Sequence, residues 1–369
     1  MKGIQRNLYP GGNTPQGFYS YYNYILSQKK AEKIFCIKGG PGLGKSTLMR
    51  SIGNYFLNKG EDVDFLWCSS DAESLDGVLI KSRNAALVDG TAPHIVDPIT
   101  PGAVDEIINL GEFWNEKRLR NNKNSIICSM DIIRDMFDIV YDYLACAAVH
   151  YDFMTEIIRA IIEEKVITET ADKIINDLHL LNRDAPKRGN RKKLFASAIT
   201  PGGIKNGLES MLQNIDNIII LKVPVGFRTD SITVTVSDVL VKSGFEIEEY
   251  YCPMYPGKKL EHIIIPSKKA AVISFNKYHS IENLQHTKSY SIDIEWKKNE
   301  LKSDIYTEQV KEVEKNIMSA VKMLKHAKVQ HDVLERYYID AMDFSSMEEI
   351  ERNIIKSIER LDKEDIYFS

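Results

Sequence analysis

The chain has 369 residues, and 52 acidic against 48 basic side chains leave a net charge of −4. Such a balance offers no global attraction to nucleic acid or anionic lipid, while 43% hydrophobic residues exclude extended disorder and supply cores for two or three domains. No apolar run approaches the roughly 20 residues of a membrane span, and the start MKGIQRNLYPGG lacks the apolar stretch of a secretory signal. A cytoplasmic protein with neither membrane nor nucleic-acid partners is expected. Cys36, Cys68, Cys128, Cys146 and Cys252 lie far apart with no C-x-x-C pair, so free buried thiols are expected, not disulfides or a zinc site.

Along the chain, Lys33 to Lys38 reads as a compact apolar strand. From Ser46 to Leu57 the residues Leu48, Met49, Ile52, Tyr55 and Phe56 share one helical face, which closes near Gly60. Asp62 to Cys68 and Ala85 to Val88 read as further strands. A long helical period runs from about Ile126 to Lys165 through Ile132, Ile133, Met136, Phe137, Val140 and Leu144. The stretch from Asn182 to Lys193 is basic and punctuated by Pro186 and Gly189, the composition of a solvated linker. Beyond it the same order recurs, ending in a second helical period from Leu301 to Met342.

That recurrence is an internal duplication. Thr14-Pro15-x-Gly17 returns as Thr200-Pro201-x-Gly203, Lys38 and Gly42 as Lys222 and Gly226, Cys68 as Cys252, and Ala85-Ala86 as Ala270-Ala271. His94 returns as His279, Trp114 as Trp296, and Val149-x-x-Asp152 as Val329-x-x-Asp332. The offset drifts from 186 to 180 residues, as a few short insertions or deletions would produce. Two domains, residues 1–185 and 186–369, are expected. Strands alternating with helices imply three-layer α/β cores with mainly parallel sheets, and the tails imply a long helical appendage packed beside each core.

The strongest chemical signal is Gly39-Gly40-Pro41-Gly42-Leu43-Gly44-Lys45-Ser46, which fits G-x-x-x-x-G-K-[ST] between a predicted strand and a predicted helix. Glycines let successive N–H groups and the helix N-terminus face an anion. Lys45 brings a compact charge to the β- and γ-phosphates, Ser46 offers a hydroxyl to Mg2+, and Thr47 adds a hydrogen bond to the α-phosphate. On these residues the sequence resembles the P-loop nucleoside triphosphatase superfamily. Its duplicated layout is also similar to a bacterial family of tandem P-loop ATPase-like proteins, a likeness running nearly end to end. The resemblance implies tandem P-loop folds, with ATP and Mg2+ as ligands.

Ala85 to Asp89 has the shape of a Walker B element, an apolar strand whose final carboxylate approaches Mg2+; an ordinary strand closed by an Asp-Gly turn is the alternative. In the second copy the matched loop is Lys222 to Ser231. There Gly39 has become Val223, Gly44 Arg228, Lys45 Thr229 and Ser46 Asp230, and Asp89 has become Ser274. That half is not expected to bind Mg-nucleotide in the usual way. Residues kept in both copies, such as His94 with His279 and Cys68 with Cys252, then read as structural. Asp71, whose counterpart is Tyr255, follows a strand and could act as a base or orient a water; capping the next turn is the alternative. Asp76 and Arg83 are lesser candidates, having Glu261 and Lys268 as counterparts.

These readings converge on an ATP-binding protein with Mg2+-dependent ATPase activity in the first copy, where Lys45, Asp71 and Asp89 are the catalytic candidates. The binding residues are Gly39, Gly40, Gly42, Leu43, Gly44, Lys45, Ser46 and Thr47, and the metal ligands Ser46 and Asp89. The second copy would regulate, or bind a protein or small-molecule partner. A small-molecule or nucleotide kinase and a non-hydrolysing nucleotide sensor are the alternatives.

Overall fold

The computed structural model describes residues 2–91, 97–182, 185–296 and 300–364. The first copy opens with β1 (Gln5–Leu8), β2 (Gly11–Thr14) and β3 (Gly17–Ser20). It continues with β4 (Lys33–Lys38), α1 (Lys45–Asn58), β5 (Val63–Trp67), β6 (Leu75–Ile80), β7 (Ala85–Asp89) and β8 (Asp105–Asn109), then α2 (Glu116–Asn121), α3 (Lys123–Arg159) and α4 (Glu164–Leu178). The second copy runs β9 (Arg191–Phe195), β10 (Ser197–Thr200), β11 (Gly203–Asn206), α5 (Leu208–Met211), β12 (Asn217–Lys222), α6 (Asp230–Lys242), β13 (Ile247–Tyr251), β14 (Leu260–Ile265), β15 (Ala270–Phe275) and β16 (Lys288–Ser291). Two helices, α7 (Glu300–Ile339) and α8 (Met347–Glu364), close it.

Each copy contributes a six-stranded sheet. The orders, β1-β5-β6-β7-β4-β8 and β9-β13-β14-β15-β12-β16, correspond strand for strand. Each sheet is mixed: five strands run in one direction, as a mainly parallel sheet requires, and one strand opposes them, β6 lying antiparallel to both β5 and β7, and β14 antiparallel to both β13 and β15. The strand responsible, β6, escapes sequence reading because Asp76-Gly77 resembles a turn. All six of its residues are nevertheless buried. The Tyr22 hydroxyl donates to Asp76 Oδ2 at 2.6 Å, which meets the carboxylate's need for a partner, and a Cβ on Gly77 would lie 2.9 Å from the Leu87 carbonyl oxygen.

The compact units cut across the two sequence copies. One is Met1–Gly11, Ser20–Asp138 and Met323–Ser369; the other is Gly12–Tyr19 and Ile139–Lys322. The physical reason lies in the tails. α3 is an unbroken helix of 37 residues, about 55 Å long at 1.5 Å per residue, and it belongs to the first unit up to Asp138 and to the second from Ile139. In the first unit α8, from the end of the second copy, lies on α1, where Ser51 and Tyr55 donate to Glu351 and Glu359 at 2.6 and 2.8 Å. Ile354 and Ile358 join Phe35, Met49, Ile52, Phe56, Phe65 and Val78 in one buried cluster. In the second unit α4, from the first copy, packs on α6.

All five cysteines are free, but only Cys36, Cys68 and Cys252 are buried. Cys128 and Cys146 are exposed, because a long helix such as α3 buries one stripe and leaves the rest to solvent. Among the described residues no helix is long and apolar enough to cross a membrane.

Candidate functional site

The loop Gly39 to Gly44 joins β4 to α1 at the carboxyl end of the sheet. Positive φ angles of 72° at Gly42 and 82° at Gly44 require glycine there and turn the chain into the helix. The first-turn amides of a helix have no partner within it. Among the described residues the N–H groups of Gly42, Leu43, Gly44, Lys45 and Ser46 also donate to no other backbone acceptor. They therefore form a row of converging donors suited to an anion.

Lys45 heads the helix, with its ammonium donating to the carbonyls of Gly39 and Gly40 at 2.8 and 2.9 Å. Asp89 ends β7, which lies beside β4 with Asp89 in register with Ile37. Its carboxylate sits 3.6 Å from the Lys45 ammonium and accepts the Thr91 amide at 2.8 Å, while the Thr91 hydroxyl donates to Gly39 O at 2.8 Å. Ser46 Oγ accepts the Leu75 amide at 2.9 Å, which orients the hydroxyl. Thr47 is exposed. The chain thus brings Lys45, Ser46 and Asp89 to one sheet edge, and this donor set fits a magnesium–polyphosphate: oxygen ligands for the hard cation, an ammonium and amides for the anion.

Asp71 lies on the β5–β6 connection. It caps that turn, accepting from the Glu73 amide at 3.2 Å and the Ser74 hydroxyl at 2.9 Å. It also pairs with Lys328 of α7 at 3.1 Å. Burial opposes ionisation of Asp71, yet Ser74 and Lys328 outweigh it and hold the carboxyl below the usual carboxylate range. Arg83 is held by Glu61 at 2.7 Å, a structural pair. His94 lies outside the described residues. Its counterpart His279 is buried, with Nε2 3.0 Å from Ser197 Oγ.

Sequence reading missed the contribution of α7. Lys328, His331, Asp332, Glu335, Tyr338 and Ile339 recur at helical spacing and so share one face. Lys328 pairs with Asp71 and Asp332, while His331 and Glu335 lie 3.4 Å apart. A Cβ on Gly42 would meet Glu335 at 3.1 Å and Ile339 at 2.9 Å, and one on Gly40 would meet the Tyr338 ring at 2.5 Å. Polar residues at i, i+3, i+4 and i+7 were the available signal, but nothing in them names the loop as their neighbour. Gly40→Ala is therefore expected to cost about 1–3 kcal/mol through overpacking. Combined with Tyr338→Ala it should cost less than the sum of the two changes. Unfolding midpoints of the four proteins check this, and strict additivity would show that the ring does not lie on the loop.

No family model, curated protein or solved structure matches this chain.

The second copy supplies an internal comparison. Gly226, the counterpart of Gly42, keeps a φ of 91° and would collide with Met154 of α3 at 2.8 Å if it carried a Cβ. Helix packing thus explains why glycine is kept in both copies without any phosphate. Around it the loop satisfies itself. The Gly226 amide donates to the Tyr151 hydroxyl at 3.3 Å, and Thr155 donates to Gly226 O at 2.9 Å. Arg228 grips Asp230 through two bonds of 2.8 and 2.7 Å. Ser274, in place of Asp89, donates its amide to His262 Nδ1 and its hydroxyl to Glu261 O.

Proposed function

We propose that the chain is an ATP-binding protein of the P-loop nucleoside triphosphatase type, with three-layer α/β cores, that hydrolyses ATP with Mg2+ in its first copy. The observation that carries this reading is the convergence of Lys45, Ser46 and Asp89 with the unengaged amides from Gly42 to Ser46. These amides and the Lys45 ammonium would hold phosphate oxygens, and Ser46 and Asp89 would hold the cation. Mg-ATP supplies the γ-phosphoryl group that water attacks. The degenerate second copy, whose loop is closed by Tyr151, Thr155 and the Arg228–Asp230 pair, then serves as a regulatory or partner-binding copy.

A kinase would need Asp71 free to accept a proton, and its engagement by Ser74 and Lys328 weighs against that reading. A non-hydrolysing sensor is the second reading, favoured by the packing of Tyr338 and Ile339 against the loop glycines. The test is ADP release from Mg-ATP in the absence of any acceptor, with turnover below about 1 per second expected. Binding without turnover would select the sensor, ADP only in the presence of a metabolite pool would select the kinase, and no binding would sink all three.

A further inference from the structure

In the first unit a cavity of about 280 Å3 opens between the edge strand β8 and α8, near the lower limit of about 300 Å3 for small-molecule sites. Its floor is apolar, built from Phe35, Ile108, Phe113 and Ile354, and its polar groups are Glu106, Asn109, Glu112, Asn353 and Ser357. Glu106 is paired with Lys33 at 2.7 Å. Among the described residues Glu112 instead receives only the Asn109 Nδ2 group, at 3.4 Å, while Asn109 Oδ1 caps the turn by accepting the Gly111 amide at 3.1 Å. One carboxylate beside side-chain amides, over an aromatic and aliphatic floor, matches a flat, neutral ring bearing an amine. It repels phosphate.

The cavity also lies one strand from the phosphate loop. Asn109 is in register with Lys38, the residue before Gly39, and adjacent strands stand about 4.8 Å apart. Leu110, which follows Asn109, comes within 3.2 Å of where a Gly39 Cβ would stand. The two neighbouring places thus offer opposite electrostatics: amides and an ammonium for an anionic group at the loop, and a carboxylate for an amine in the cavity.

We infer that this cavity receives the nucleobase, with the Glu112 carboxylate accepting from an exocyclic amine, the amide of Asn109 or Asn353 donating to the adjacent ring nitrogen, and Phe113 packing on the ring. This rests on the nucleotide reading of the loop. Among purines the pattern selects adenine over hypoxanthine, which carries an oxygen where adenine carries the amine.

Equilibrium titration of the full chain in Mg2+ with ATP, ITP and inorganic tripolyphosphate tests it. ATP is expected to bind about ten-fold more tightly than ITP, as one charge-assisted hydrogen bond at an open site provides. Glu112→Gln, an exposed substitution, should bring the ratio towards one and leave tripolyphosphate binding unchanged. Phe113→Ala should weaken both nucleotides but not tripolyphosphate. Equal affinities for ATP and ITP in the unaltered chain, or a ratio untouched by Glu112→Gln, would overturn the base site while leaving the phosphate loop standing. Failure of tripolyphosphate and ATP alike would instead overturn the nucleotide reading itself.

Discussion

Replacing Lys45 with alanine is expected to weaken Mg-ATP binding by at least about 100-fold, since hydrogen bonds to charged groups contribute about 1.5–3 kcal/mol each and the ammonium would serve two phosphates. The matched change in the second copy, Thr229→Ala, should leave that affinity unaltered. Thr229 is fully buried and donates to Leu260 O at 2.8 Å, so its loss should appear as about 1 kcal/mol of stability. Calorimetric titration of both variants, with unfolding curves to show that each still folds, decides the matter. Equal losses of affinity would refute a division of labour between the copies. The comparison is informative because Lys45 and Thr229 occupy the same place in two corresponding folds, yet one faces loop carbonyls and the other a strand carbonyl.

The second large effect concerns the core of the second unit. Lys259 and Glu261 are both buried and joined at 3.0 Å, and Lys259 also donates to the Tyr151 hydroxyl at 2.7 Å. Burial pushes the Glu261 carboxyl up, but Lys259 outweighs it and holds the group down to about 2. Against burial, Tyr151 and then Glu261 raise Lys259 well above its ordinary value. Glu261→Leu would leave a buried ammonium facing only a hydroxyl. A loss of about 3–5 kcal/mol follows, a fall of about 6–20 °C in the unfolding midpoint at roughly 2–4 °C per kcal/mol for a unit of this size.

Adding Lys259→Met should restore most of that loss, because an apolar pair of similar volume avoids the desolvation cost. Additive losses would mean that the two groups are not paired. The pH dependence has a definite direction. Glu261's folded value lies below its unfolded one, so its contribution is complete above about pH 4.3 and disappears as the pH falls through about 2. Burial holds His262 near 3, inside that window, and also lowers His279.

Several elements were legible from the residues alone. Lys33 to Lys38 is β4 to the residue, and the helix expected from Ser46 to Leu57 is α1 with one residue added at each end. The apolar periods near Ile126 and Leu301 became α3 and α7. These features are local: periodicity and glycine placement act within a few residues. The antiparallel β6 and β14 were not legible, because a buried Asp or Glu in a strand makes sense only once its partner, Tyr22 for Asp76 or Lys259 for Glu261, is known.

The sequence by itself determined the duplication, the composition of the phosphate loop and the loss of its lysine and serine from the second copy, because each is a pattern of neighbours along the chain. The tertiary structure alone decided what surrounds that loop. Tyr338, Ile339 and Lys328 reach Gly40, Gly42 and Asp71 across some two hundred and fifty residues or more, and Glu351 reaches Ser51 across 300. Such contacts leave no local trace. They follow from long helices that carry each copy's end away from its own sheet and bury it where an apolar helix face, α1 or α6, is left to be covered.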